Sequence, residues 1–305
     1  MAKHTRKWAG IARAVAISIA AFTVSSASAG VVLKDGFGDG DRNNAAPTDI
    51  APTDATDVGT AWYLGAGTSA VTLTVVNDAT SITGNTLQLF NTSSNNRPIT
   101  GQFADQALAD GDKIVLRFDA RVISASPATS DRSFRFGLYN NAGTYTSGDK
   151  GSTDVTYNDD QGYNARVDVG ADTSNSTSMD LTRDNTSADT IIGGTATSLS
   201  ATSTNAANQL DDDTVRHFVL TLTRNGTSLD YSLQQDNNAA ITGTDASPTG
   251  FTFNEASFSA RSSAAMDLRL DNIEVEYTAA VPEPASAAVL ALATAALALR
   301  RRRAR

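Results

Sequence analysis

Lys113-Ile-Val-Leu-Arg-Phe-Asp-Ala-Arg-Val-Ile123 decides the fold class. Ile114, Leu116, Phe118, Ala120 and Val122 fall on one side of an extended chain, and Val115, Arg117, Asp119 and Arg121 on the other. That period of two reads as a long strand with one buried face. The same rhythm sets Phe134, Phe136 and Leu138 against Arg135, Gly137 and Tyr139, and Phe218, Leu220 and Leu222 against Val219, Thr221 and Thr223. Leu229, Tyr231 and Leu233 follow after Arg224-Asn225-Gly226-Thr227. Asn-Gly between two alternating runs is a strong hairpin signal.

Shorter candidate strands are Val31–Lys34, Trp62–Leu64, Val71–Val76, Thr86–Phe90, Ile99–Phe103, Tyr163–Val169, Ser178–Thr182 and Phe251–Phe258. No part of the chain between its two ends has a capped 3.6-residue period. About a dozen strands joined by polar turns predict an all-β fold, a β-sandwich of jelly-roll topology. Residues 39–59 and 171–213, rich in Asp, Asn, Ser, Thr and Ala, read as long polar loops, the second bearing one or two strands. Near the C-terminal end of the domain Met266, Leu268 and Leu270 share one parity, and Ile273, Val275 and Tyr277 the other. The switch at Asp271-Asn272 implies either a β-bulge or two short strands meeting at a bend.

The two ends of the chain read as addresses. Lys3, Arg6, Lys7 and Arg13 precede the apolar run Ala14–Val24, and Ala27-Ser28-Ala29 supplies small residues for cleavage before Gly30. These are the parts of a signal peptide, cut by a signal peptidase. At the other end, Val281-Pro282-Glu283-Pro284 is a stiff spacer. An uncharged Ala/Leu stretch, 285–299, follows it, and Arg300–Arg303 and Arg305 close the chain. Fifteen uncharged residues fall short of the roughly 20 a stable span needs, and the arginines favour a cytoplasmic end. Motif, short span and basic tail in that order resemble the PEP-CTERM sorting signal of Gram-negative bacteria. The resemblance implies an exosortase-type protease as partner and a transient inner-membrane intermediate. It also implies release or re-anchoring at the cell surface or in the extracellular matrix. The chain then divides into a signal peptide (1–29), a β-sandwich (30–280) and a sorting signal (281–305).

Of 24 Lys and Arg, 4 lie in the signal peptide and 5 in the tail, leaving 15 against 33 acids and a formal charge of −18 over residues 30–299. Such a surface repels nucleic acid and anionic lipid. There is no cysteine, so core burial, and a bound metal if there is one, must replace disulfides in this exported domain.

A second resemblance concerns the domain itself. Leu33-Lys34-Asp35-Gly36-Phe37, the hairpin from His217 to Leu233, and Arg269-Leu270-Asp271-Asn272-Ile273-Glu274-Val275 are similar to segments of concanavalin-like and laminin-G-like jelly-roll modules. In such carbohydrate-binding modules a structural calcium often joins the first and last strands, which implies Asp35 and Asp271 as ligands. Independently, Asp39, Asp41 and Asn43 crowd oxygen donors into a glycine-rich turn suited to calcium, and begin like an EF-hand loop. Asn44 stands where that loop needs Gly, and no Glu closes it, which excludes the EF-hand itself. A solvated acidic turn is the alternative.

The chain outside the signal peptide has no thiol and one histidine, His217, which reads as a surface or strand-end histidine rather than the base of a Ser nucleophile. A single histidine excludes a His-based zinc site. Glu274 and Glu276 share a strand face but lack the further acid of the glucanase pattern, and read as a solvated face. Sugar binding needs aromatic faces and polar side chains. Trp62, Tyr63, Tyr139, Tyr157 and Tyr163 are the candidates, with core packing as their other reading. Two functional readings follow: a non-catalytic structural or adhesive surface protein with weak glycan affinity, or a polysaccharide hydrolase or lyase on the same fold.

Overall fold

The computed structural model describes residues 29–42, 61–65, 71–78, 82, 84–92, 97–123, 133–150, 159–169, 177–184, 192, 196–205, 208–210, 213–261 and 266–281. Pro282, Glu283, Pro284, the 285–299 stretch and Tyr157 lie outside these residues. Ala27–Ala280 form one compact unit. Its strands, in chain order, are β1 (Ala29–Asp35), β2 (Trp62–Leu64), β3 (Val71–Asp78), β4 (Gly84–Asn91), β5 (Arg97–Ala107), β6 (Lys113–Ile123), β7 (Ser133–Asn140) and β8 (Gln161–Asp168). There follow β9 (Met179–Asp184), β10 (Ala196–Ser203), β11 (Arg216–Asn225), β12 (Ser228–Gln235), β13 (Ile241–Asp245), β14 (Thr252–Arg261) and β15 (Met266–Thr278).

They form two antiparallel sheets, the jelly-roll sandwich that the alternation predicts. Sheet I runs β13-β12-β11-β6-β15-β4-β3 with β1 also on β15, and sheet II runs β10-β9-β8-β7-β14-β5-β2. The predicted inward residues of β6 are buried, from Ile114 to Val122. Phe118 from sheet I is the hub between the layers. Its ring lies 4.7 Å from Phe136 and 4.9 Å from Phe258, both of sheet II, and 5.2 Å from Phe218 of its own sheet. The first two pairs are edge-to-face and the third is stacked, and both arrangements add to area burial.

Three local outcomes refine the sequence reading. The hairpin turn is Gly226-Thr227, since Asn225 still pairs with Ser228. Gly226, at φ 60°, takes the first central position that a two-residue turn reserves for glycine. The parity switch on β15 is a bulge: β15 advances from Asp271 to Glu274 while β6 moves from Asp119 to Arg117. Asn272, at φ 50°, is the extra residue. β13 had no sequence signal, because it is an edge strand on which only Ile241 and Asp245 are buried.

Candidate functional site: the outer face of sheet II

Sheet II has a second face as well ordered as the one that packs in the core. Pairing places Ser259, Arg135, Arg166 and Asp180 in one cross-strand row. The next row holds Tyr63, Thr100, Ser257, Gly137, Asn164, Thr182 and Ser198. The third holds Gln102, Glu255, Tyr139, Gly162 and Asp184. Apart from the tyrosines, and Pro98 and Ala196 on the flanking strands, these rows are polar or glycine, while the alternate positions of the same strands are the apolar residues of the core. Residues one apart on a strand face opposite ways, so one alternating sequence builds both surfaces.

The glycines shape this face. A Cβ on Gly137 would stand 2.1 Å from the Tyr163 carbonyl oxygen and 2.9 Å from the Tyr139 ring. One on Gly162 would stand 2.2 Å from the Leu138 carbonyl oxygen and 2.7 Å from the same ring. Tyr139 thus lies down on the sheet in a slot that two glycines leave, and Ile192 packs on it.

One end of the face is open and the other closed. At the open end Arg135, Asn164, Arg166, Asp180, Thr182 and Ser198 line a groove of about 390 Å³. Arg135 and Arg166 are direct cross-strand partners, and Arg166 Nη2 donates to Asp180 Oδ2 at 2.5 Å. At the closed end Glu255 is fully buried. Its carboxylate accepts from Ser257 Oγ at 2.8 Å and Gln102 Nε2 at 3.3 Å. Burial still pushes its carboxyl up to about 7, against the lowering effect of those two bonds and with Asp159 adding to the rise.

The aromatic candidates divide. The reading of Trp62, Tyr139 and Tyr163 as stacking platforms is corrected, because all three are buried and offer no face to a sugar. Trp62 lies in the core against Phe37 and Phe258, and its Nε1 donates to Asp35 Oδ2 at 2.8 Å. Tyr163 points into the core side and donates its hydroxyl to Asp245 at 2.8 Å. Tyr63 alone of the described candidates stands half-buried on the polar face. It is at the edge strand, where Arg42 grips Asp149 at 2.9 and 2.6 Å.

The metal expectation is also corrected. Asp35 is buried and accepts from Phe37 N and Trp62 Nε1, so it pins the first turn to the core. Asp39 accepts from Asp41 N in an exposed turn, and Asp271 accepts from Asn272 N at the bulge. Asp35, Asp39, Asp41 and Asp271 do not assemble: among the described residues no three Asp, Glu or His side chains form a group fit to hold a metal. Glu274 and Glu276 pair with Arg117 at 3.7 and 2.8 Å on the outer face of sheet I. His217 is exposed and pairs with Asp119 beside the bulge, in a hollow whose lining has no Ser or Thr hydroxyl. Sequence reasoning missed the polar grid of sheet II, although its signal was present in Arg135, Gly137 and Tyr139 between the phenylalanines.

No family model matches the chain, and no curated protein matches it. Among solved structures it is similar to the carbohydrate recognition domain of Emp46p in its potassium-bound form, at 12% identity and TM-score 0.43, covering 70% of this chain and 87% of that one. It is similar to the Emp47p carbohydrate recognition domain at 13% identity and TM-score 0.42, over 80% and 96% of the two chains. Peanut lectin is a third, at 9% identity and TM-score 0.38, over 72% and 98%.

Proposed function

We propose that this is an exported, non-catalytic protein of the cell surface or extracellular matrix whose sandwich holds polysaccharide on the outer face of sheet II. The observation that carries the reading is the open groove. It offers guanidinium, amide, carboxylate and hydroxyl groups side by side on a rigid sheet, a donor and acceptor set suited to sugar hydroxyls. No aromatic face stands among its lining residues, so the affinity is weak, and avidity along a polymer supplies retention. Export and exosortase sorting are supported by the two terminal signals and their order. Among the described residues no helix is long and apolar enough to cross a membrane, and 285–299 fall outside them.

A glycan array with the purified protein, with and without calcium, tests the binding. Retention of a neutral polysaccharide that Asn164→Ala and Thr182→Ala both abolish is the expected result; retention unchanged in both variants overturns the site. For sorting, mass spectrometry of surface or released material should find no Arg300–Arg305 peptides, and their presence refutes it.

The second reading, a hydrolase or lyase, draws on Glu255, whose carboxyl near 7 lies in the range of a general acid. Its complete burial denies it a substrate in this conformation. Release of sugar ends from a polysaccharide by the wild type, lost in Glu255→Gln, would establish that reading instead.

A further inference from the structure

We propose that the closed end of the polar face is a calcium site, with Asp160 and Glu255 as its carboxylate ligands. Asp160 immediately precedes β8 and shares the parity of Gly162, Asn164 and Arg166, so its side chain extends the same face. It is 2% exposed, and neither carboxylate oxygen has a hydrogen-bond partner. A buried carboxylate in that condition is costly. Protonation alone does not remove the cost, because the acid hydroxyl would also lack an acceptor. A cation does remove it.

The surroundings point the same way. Glu255 and Asp184, 0% and 1% exposed, flank Tyr139 and Gly162 in the adjoining row. The Tyr139 hydroxyl is buried beside Asn164, and burial, then Asp184 and Asp160, push its pKa up. Burial, then Glu255, Asp159 and Asp184, push the Asp160 carboxyl up to about 10, with no basic side chain opposing them. The nearest arginines on the face, Arg135 and Arg166, lie in the first row, and Arg166 is held by Asp180.

The donors are all oxygen, which selects a hard cation, and their accumulated charge selects a divalent one. Magnesium demands near-ideal octahedral geometry and sheds water reluctantly, whereas calcium accepts carboxylates mixed with amide, hydroxyl, carbonyl and water oxygens. That mixture is needed, since three acids do not converge tightly here. The site is independent of the glycan reading, because the ion is measured with no sugar present.

The test is terbium titration of the purified protein, read by tyrosine-sensitised emission and by displacement with calcium. It is run in about 1 M sodium chloride, where the screening length falls to about 3 Å and diffuse attraction to an acidic surface is removed. The wild type should show one saturable, calcium-displaceable site. Asp160→Asn should weaken it by about 100-fold or more, and Glu255→Gln by at least about 10-fold, the loss seen on removing even an outer partner of a metal ligand. Asp39→Asn should leave it unchanged. No saturable site in the wild type, wild-type affinity in Asp160→Asn, or loss in Asp39→Asn instead would each overturn the proposal. If Asp160→Asn fails to fold, Glu255→Gln decides: wild-type affinity there overturns it as well.

Discussion

The two outer faces of the sandwich come from the same kind of alternating strand and are finished in opposite ways. On sheet I each charge named meets its opposite. Arg121 reaches Asp78 at 2.9 and 2.6 Å and also takes Asp213, Arg117 takes Glu276 and Glu274, and Arg269 takes Asp267. On sheet II two arginines stand side by side, Asp160 has no partner, and glycines and serines fill the centre. Charges that cancel in pairs have little left to offer a ligand. A face that leaves donors, acceptors and charge uncancelled meets something else, and that contrast is why the site is placed on sheet II.

The comparison is open to attack in order of expected effect. Arg121→Met on sheet I should destabilise by about 3–5 kcal/mol, because it strands Asp78, which is buried, without its counter-ion. Asp78→Leu in the same chain should recover most of that loss. Recovery failing in urea melts would mean that the pair is more than mutual neutralisation. On sheet II, Gly137→Ala should cost about 1–3 kcal/mol, since the new methyl meets backbone that is not free to move. A neutral outcome would show that the Tyr139 slot is not tightly built.

The bulge of sheet I carries a pH signature. Burial first, then Asp119, pushes the Asp271 carboxyl up to about 6, against the lowering effect of the Asn272 amide. The folded state therefore holds this proton more tightly than the unfolded chain. Its contribution favours folding below about pH 4 and is lost as pH rises through 6. Wild type minus Asp271→Asn should change by on the order of 1 kcal/mol over that window once solvent screening is allowed for. A difference independent of pH would refute the assignment. Smallest of all, Thr182→Ala in the groove and Thr221→Ala on sheet I should each move stability by less than about 0.5 kcal/mol. Only the first should weaken glycan retention, and equal retention in both would erase the distinction between the faces.

The alternation of β6, β7, β11 and β12 was legible without coordinates because burial on one face of a pleated strand imposes period two directly on the chain. The bulge at Asp271-Asn272 was legible for the same reason, as a break in that period. β13 was not, since an edge strand buries little and leaves little trace. The aromatic candidates failed because residue type does not say which way a side chain turns: Trp62 and Tyr63 are neighbours, and one is core while the other is surface. Asp35 showed the limit for acids, where an expected ligand proved to be the hydrogen-bond acceptor of Trp62, 27 residues away.

By itself, then, the sequence determined the all-β fold and the acidic balance of residues 30–299, both properties of local pattern and composition. Tertiary structure alone decided that Ser257, Gly137, Asn164 and Thr182, from four strands, share one row, and that Gln102 and Glu255, 153 positions apart, meet at one end of the same face. Strand order and register are set by long-range pairing across the whole chain, and no window of sequence holds that information.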